Sequence, residues 1–204
     1  MENVAINETE KAAMDVEVVK KIVIINKNNK ADIDFDRIAW AIKARSKDET
    51  RININMVLVD AGCIVATDGH RLHLARTYRE IESGLYKVAH SNGKSIILEP
   101  DTEGCYEYPK YQRLIPSDEE IPVDIRNVGR NNGANGSKTW LMRAVYQLTC
   151  VNHEYLCETY MPEADCTVKH YGGMKPLVIV EDEPGEEEGK RNLIRLALVM
   201  PLKE

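Results

Sequence analysis

The stretch Val65-Ala66-Thr67-Asp68-Gly69-His70-Arg71-Leu72-His73-Leu74 constrains the fold more than any other part of the chain. Strand-forming residues flank Asp68-Gly69, and this dipeptide predicts a tight hairpin turn because Gly accepts φ > 0 without steric cost. The first arm, Ile64-Val65-Ala66, is apolar. The second alternates, which sets Leu72 and Leu74 on one face of a strand and Arg71 and His73 on the other.

Further strand-like runs surround this hairpin. Residues 1–15 are polar and read as a flexible tail. Val16 to Lys27 is rich in β-branched residues and predicts a strand. Phe35, Ile38, Ala39 and Ile42 recur at helical spacing, and Asp34 is the expected cap. Arg37, Lys43 and Lys47 fall towards the other side of that helix. Ile52 to Val59 predicts a strand, and the hairpin runs on to about Tyr78. Leu85 to Ala89 and Ser95 to Leu98 predict two more strands, joined by a turn at Ser91-Asn92-Gly93. The proline-bounded segment Tyr108 to Pro116 is expected to be irregular.

The polar run Ser117 to Glu120 is the best junction, so the chain divides into units at 16–116 and 117–204. In the second, Pro122 to Val128 predicts a strand. Trp140 to Val151 fits both periods, with a strand favoured for its second half. Asn152 is expected to cap a helix from His153 to Tyr160. Cys166 to His170, Pro176 to Val180 and Leu193 to Met200 predict strands, with a charged loop from Glu181 to Gly189. Each unit thus reads strand, helix, three strands. Two βαβββ units side by side give an α+β architecture with helices on one face of antiparallel sheets.

Composition limits the function classes. The chain has 204 residues, 43% of them hydrophobic, so it can bury a sizeable core. A net charge of −6 argues against nucleic-acid binding through overall positive charge, though not against a local basic stripe. Five cysteines, without a CxxC, read as free thiols of a reducing compartment. No apolar run resembles a signal peptide or a membrane span of about 20 residues, so a soluble cytoplasmic protein without membrane contact is expected. His70 and His73 point to opposite faces of a strand, which disfavours joint metal binding. Asp68 serves turn geometry, and the acidic run at 181–188 reads as a solvated loop. No nucleophile–base pair, phosphate loop or metal motif is legible, so no catalytic residue, metal or cofactor is expected. The apolar C-terminus, Leu198 to Leu202, reads either as a core strand or as one wall of a groove.

Three strings stand out together: VATDGHRL at 65–72, YPKYQRLIP at 108–116 and LVMPL at 198–202. In order and spacing they resemble ATDGHRLA, FPDYRRVLP and VVMPM of the bacterial DNA polymerase III β subunit, the β sliding clamp. Val151 to Leu156 also resembles the strand-to-helix entry of the clamp's last domain, and Ile54-Asn55 the strand preceding ATDGHRL. The resemblance covers about residues 30–75, 104–116 and 151–204. It implies a DNA-clamp-like fold in which helices line a ring around DNA. It also implies a hydrophobic cleft for short linear peptides of DNA polymerases and other clamp-binding proteins. Carried onto matching positions, the cleft comprises Ile54, Thr67, Gly69, His70, Arg71 and Leu72, with Pro109, Arg113 and Leu114 on one wall. Leu198, Val199, Met200, Pro201 and Leu202 form the other wall. His70, Arg71 and Arg113 would orient the peptide's polar atoms, and Arg37, Lys43 and Lys47 would face double-stranded DNA. Clamps of the family have three domains of two units each, so a ring of this shorter chain would need self-assembly of several copies or a partner clamp. The expected function is non-enzymatic tethering of replication or repair proteins. The alternative is a monomeric interaction module or clamp decoy that does not encircle DNA, which Glu154 and Glu158 on the second helix favour.

Overall fold

The computed structural model describes residues 22–29, 31–116, 123–124, 145, 149–159, 166–172, 174–185 and 191–202. Their strands form one antiparallel sheet, in the order β1-β6-β5-β2-β3-β4-β10-β9-β8-β7. The elements in chain order are β1 (Val23–Asn26), α1 (Ile33–Ile42), α2 (Ile52–Asn55), β2 (Val57–Asp60), β3 (Cys63–Thr67) and β4 (Arg71–Arg76). There follow β5 (Gly84–Ser91), β6 (Ser95–Pro100), a 3₁₀ turn at Tyr111–Leu114 and β7 (Val123–Asp124). The chain continues with α3 (His153–Thr159), β8 (Cys166–His170), β9 (Leu177–Pro184) and β10 (Arg191–Val199). Two βαβββ sets are therefore present, β1-α1-β2-β3-β4 and β7-α3-β8-β9-β10. They share one sheet because β4 pairs with β10, Leu74 opposite Leu196 and Leu72 opposite Leu198.

Both faces of the central strands are buried. On one side Phe35 and Ile38 of α1 and Leu156 of α3 pack against Val57, Val59, Ile64, Ala66, Ala75, Ala197 and Val199. On the other, Val65, Leu72, Leu74, Val178, Leu196 and Leu198 form a second core, roofed by Tyr108 and Tyr111. The period of two sorts neighbouring residues between these layers, Leu198 to the outer core and Val199 to the helix layer. Burial on both faces explains why β3 reads as an unbroken apolar run.

Local chemistry shifts several boundaries from the sequence expectation. Asp32, not Asp34, caps α1: its side chain accepts from the Phe35 N–H at 3.0 Å. Asp34 lies within the first turn, where it accepts from the Thr77 hydroxyl and the Tyr78 N–H, both at 3.1 Å. The expected strand from Ile52 to Val59 splits into α2 and β2. The Ile-Asn-Ile-Asn alternation imitates a strand, yet Asn55 turns its side chain to donate to the Ser46 carbonyl at 2.8 Å. β9 runs four residues into the expected charged loop, because Glu181 pairs across the sheet with Arg195 and Glu183 accepts from the Tyr78 hydroxyl at 3.3 Å. Val145 is helical and Val151 forms a bridge to Pro201, so the favoured strand through the second half of 140–151 is absent at those residues. Most of the strand expected over 122–128, residues 16–21 of the first strand, and the tail lie outside the described residues.

Candidate functional site

The hairpin between β3 and β4 is wider than a two-residue turn. Thr67 opposite Leu72 is the last ladder pair, leaving Asp68 to Arg71 as the connection. Side chains hold it. The Asp68 carboxylate accepts from the N–H groups of His70 at 2.9 Å and Arg71 at 3.0 Å. The Thr67 hydroxyl accepts from the Gly69 N–H at 3.1 Å and donates to the Arg71 carbonyl at 2.6 Å. Within this connection only Gly69 has positive φ (91°), whereas a type I′ turn requires it at both central residues. Arg51 pins the tip from outside by donating to the Asp68 carbonyl at 3.0 Å.

The C-terminal segment is tied to this tip. The Met200 N–H donates to the His70 carbonyl at 2.9 Å, and the Leu202 N–H to the Cys150 carbonyl at 2.8 Å. The 108–116 segment crosses the outer core. Tyr108 donates to the Val65 carbonyl at 3.3 Å and Tyr111 to the Asp60 carboxylate at 2.8 Å. Burial pushes both phenols up, and the Asp60 carboxylate adds to the effect at Tyr111, so both remain protonated donors.

Where these segments meet, Thr67, Gly69, Arg71, Leu72, Leu114, Leu198 and Met200 line a shallow, solvent-open depression of about 10 Å³. That is room for about one water molecule, so the depression is a surface dimple rather than a cofactor cavity. Leu72 and Leu198 are buried at its floor; Leu114, 45% exposed, stands at its rim. The other seven expected cleft residues do not line it. Val199 faces the helix layer, and Ile54 is buried within α2. Pro109 and Arg113 are exposed on the crossing segment, Pro201 is half-buried, and Leu202 is exposed. His70 is exposed with its ring 6.2 Å from that of Tyr155.

Arg71 has a double placement. Its residue borders the depression, but its guanidinium turns to the helix side of the sheet. There it donates to the Asp68 carboxylate at 3.1 Å, to the Lys43 carbonyl at 3.0 Å and to Glu158 of α3, and it lies 4.5 Å over the Tyr155 ring. With that many partners it is a structural cation rather than an open donor to a peptide. Beside it, buried His73 stacks on Trp40 with ring centroids 4.1 Å apart, and its Nδ1 meets the Trp40 carbonyl at 3.0 Å. Burial lowers its pKa to about 3, so the ring is neutral.

Of the basic residues expected to face DNA, Arg37 is half-buried on α1, while Lys43 and Lys47 are exposed just beyond its end. Glu154 and Glu158 are exposed on α3, which lies against α1 through a hydrogen bond from Trp40 Nε1 to the Glu158 carbonyl at 3.1 Å. Sequence reasoning missed Arg51, Tyr108 and Tyr111 as the residues that fix the groove. The two tyrosines inside a proline-bounded string were the available signal for the latter pair. A wider, more polar depression lies between α2 and β5–β6, and none of the three strings contributes to it.

No family model matches the sequence, and no curated protein matches it significantly. Solved structures do match the fold. A DNA polymerase III beta subunit from Thermotoga maritima superposes with a TM-score of 0.50 at 16% identity, covering 90% of this chain and 65% of that one. A beta chain from Streptococcus pneumoniae gives 0.52 at 14% identity, over 97% and 69%. A sliding clamp from Pseudomonas aeruginosa bound to griselimycin gives 0.51 at 12% identity, over 90% and 66%. The chain spans about two thirds of the length of these neighbours. No described helix is long and apolar enough to cross a membrane. The architecture is thus an α+β clamp fold, that of the DNA polymerase III β subunit.

Proposed function

We propose that this chain is a non-enzymatic, cytoplasmic tether that holds replication or repair proteins through the depression between its hairpin, its 108–116 segment and its C-terminal segment. One observation carries the reading. Three strings distant in sequence converge on one apolar depression, at Thr67, Gly69, Leu72, Leu114, Leu198 and Met200. Leu72 and Leu198 give a fixed floor, and Met200 and Leu114 give adaptable walls. A Leu or Phe of a short linear peptide enters by displacing the Leu114 and Met200 side chains, and full burial there gains about 1.5–3 kcal/mol. Tethering then acts through effective concentration: a partner held at its DNA rebinds before it escapes. Lys43, Lys47 and Arg37 supply contacts to the phosphates of double-stranded DNA, and several copies assemble to enclose it.

The test is fluorescence anisotropy with a labelled Leu/Phe-bearing clamp-binding peptide. Met200→Ala and Leu114→Asp are expected to weaken binding about tenfold, the loss of one buried apolar contact. Undiminished binding in both variants refutes the groove assignment. A second reading, a monomeric interaction module or decoy that does not encircle DNA, is favoured by Glu154 and Glu158 on the helix side. Light scattering separates the two: a ring-sized oligomer supports enclosure of DNA, and a monomer supports the module.

A further inference from the structure

The depression is nearly filled by its own walls. Its 10 Å³ is far too little for a leucine side chain, so an apolar group enters only if a wall moves. The floor is fixed. Leu72 and Leu198 are buried, and their strands β4 and β10 pair directly at these two residues. Leu114 sits instead on the 3₁₀ turn Tyr111–Leu114, which is held differently. Its backbone hydrogen bonds are internal: the Tyr111 N–H to the Pro109 carbonyl at 2.7 Å, Arg113 to Lys110 at 3.3 Å and Ile115 to Gln112 at 3.3 Å. Among the described residues, no backbone hydrogen bond joins 102–116 to the sheet. From Glu107 to Leu114 only Tyr108 and Tyr111 are buried. Tyr108 donates to the Val65 carbonyl of β3. Tyr111 and Gln112 both donate to one oxygen, Oδ2 of Asp60, at 2.8 and 3.3 Å. Asp60 ends β2 and does not line the depression. One carboxylate therefore fastens the turn that carries Leu114.

We infer that Asp60 latches the 108–116 segment as a lid, and that the turn carrying Leu114 swings out about Tyr108 when an apolar peptide side chain enters, which rests on the peptide-binding reading above. Asp60 is a positioning residue. It acts through Tyr111 and Gln112 and does not touch the peptide. The free protein holds the lid closed, so the measured affinity is the intrinsic affinity scaled by the fraction of molecules that are open. Loosening the latch raises that fraction. Binding then tightens while the fold weakens, because the lost hydrogen bonds stabilise only the closed form. A residue that merely supported the fold would move both in the same direction.

The experiment measures anisotropy of the labelled Leu/Phe-bearing peptide on the full native chain, Tyr111→Phe and Asp60→Ala. Tyr111→Phe loses one hydrogen bond and is expected to bind about fivefold tighter, the population shift that one net hydrogen bond allows. Asp60→Ala loses both bonds and is expected to bind at least as tightly as Tyr111→Phe. Hydrogen exchange needs no peptide, and in both variants it is expected to quicken more at the amides of Tyr111, Arg113 and Ile115 than at those of Leu72 and Leu198. Equal or weaker binding by both variants, with the native chain binding and Met200→Ala impaired, overturns the latch and leaves the groove standing. Unchanged exchange at those three amides in Asp60→Ala also overturns the latch. No binding by the native chain or either variant overturns the groove reading itself, and the latch with it.

Discussion

Acidification from pH 7 to pH 5 is expected to destabilise this protein at His73. Its imidazole is fully buried, stacks on Trp40 and meets the Trp40 carbonyl through Nδ1 at 3.0 Å, while Nε2 has no partner. Burial is the main reason its pKa falls to about 3, and nearby Arg71 and Lys43 lower it further. In the unfolded chain the ring titrates near 6.5. The folded state therefore refuses a proton that the unfolded state accepts. Its contribution is complete above about pH 6.5 and is lost as pH falls from there towards 3. Integrating the linkage from pH 7 to pH 5 gives a loss of about 2 kcal/mol. Asp32 and Asp48 leave this window clear. Hydrogen bonds hold both carboxylates low, from the Asn28 and Phe35 N–H groups at Asp32 and from Thr50 at Asp48. Their contributions decline only as pH falls below their unfolded value of about 4. Urea denaturation followed by tryptophan fluorescence at pH 7, 6 and 5 measures the loss. His73→Gln keeps a donor for the Trp40 carbonyl but cannot titrate, so its stability is expected to change by about 2 kcal/mol less over the interval. Equal losses in the native protein and the variant refute the reasoning.

Gly69→Ala places a Cβ at φ 91° and 3.0 Å from the Arg51 guanidinium. It is expected to cost about 1–2 kcal/mol in urea denaturation and to loosen the hairpin tip in hydrogen exchange. Arg71→Met leaves Asp68 without its cation and removes the bond to the Lys43 carbonyl. A loss of about 3–4 kcal/mol is expected by the same assay. Glu158→Gln, at a side chain 44% exposed, is expected to cost under about 1 kcal/mol. Tyr111→Phe removes the bond to Asp60, leaves Gln112 as a longer partner at 3.3 Å, and is expected to cost about 1 kcal/mol in denaturation.

What the sequence made legible is what local pattern encodes. The alternation of Leu72 and Leu74 against Arg71 and His73 places those residues on the faces they occupy, because a strand has a strict period of two. Asn152 begins α3 as expected, its side chain accepting from the Glu154 N–H at 2.8 Å. The errors arise where a distant partner decides. Ile52-Asn-Ile-Asn has a strand's alternation, but the Ser46 carbonyl captures Asn55. The run after Val180 looks solvated until Arg195 arrives opposite Glu181. Arg71 reads locally as an unpartnered cation because Glu158, its partner in the fold, lies 87 residues away. The three strings stand out in the sequence, yet the roof of the outer core depends on Tyr111 reaching Asp60 across 51 residues, and nothing local signals that bond.

Arg71 also explains why the hairpin is both a groove wall and a structural joint. Its backbone sits where β4 meets β10, opposite Val199, and borders the depression. Its side chain passes to the helix layer and gathers the end of α1, through the Lys43 carbonyl, and α3, through Glu158 and Tyr155. The turn itself is held from within by Thr67 and Asp68, and from the C-terminal side by Met200. A hairpin so fixed has few alternative conformations, and a site that is already ordered loses less entropy when a ligand enters. The polar atoms of the Arg71 guanidinium are therefore committed to holding the fold rigid. For the peptide binding proposed above, selectivity at this depression would rest on shape and apolar fit at Leu72, Leu114, Leu198 and Met200.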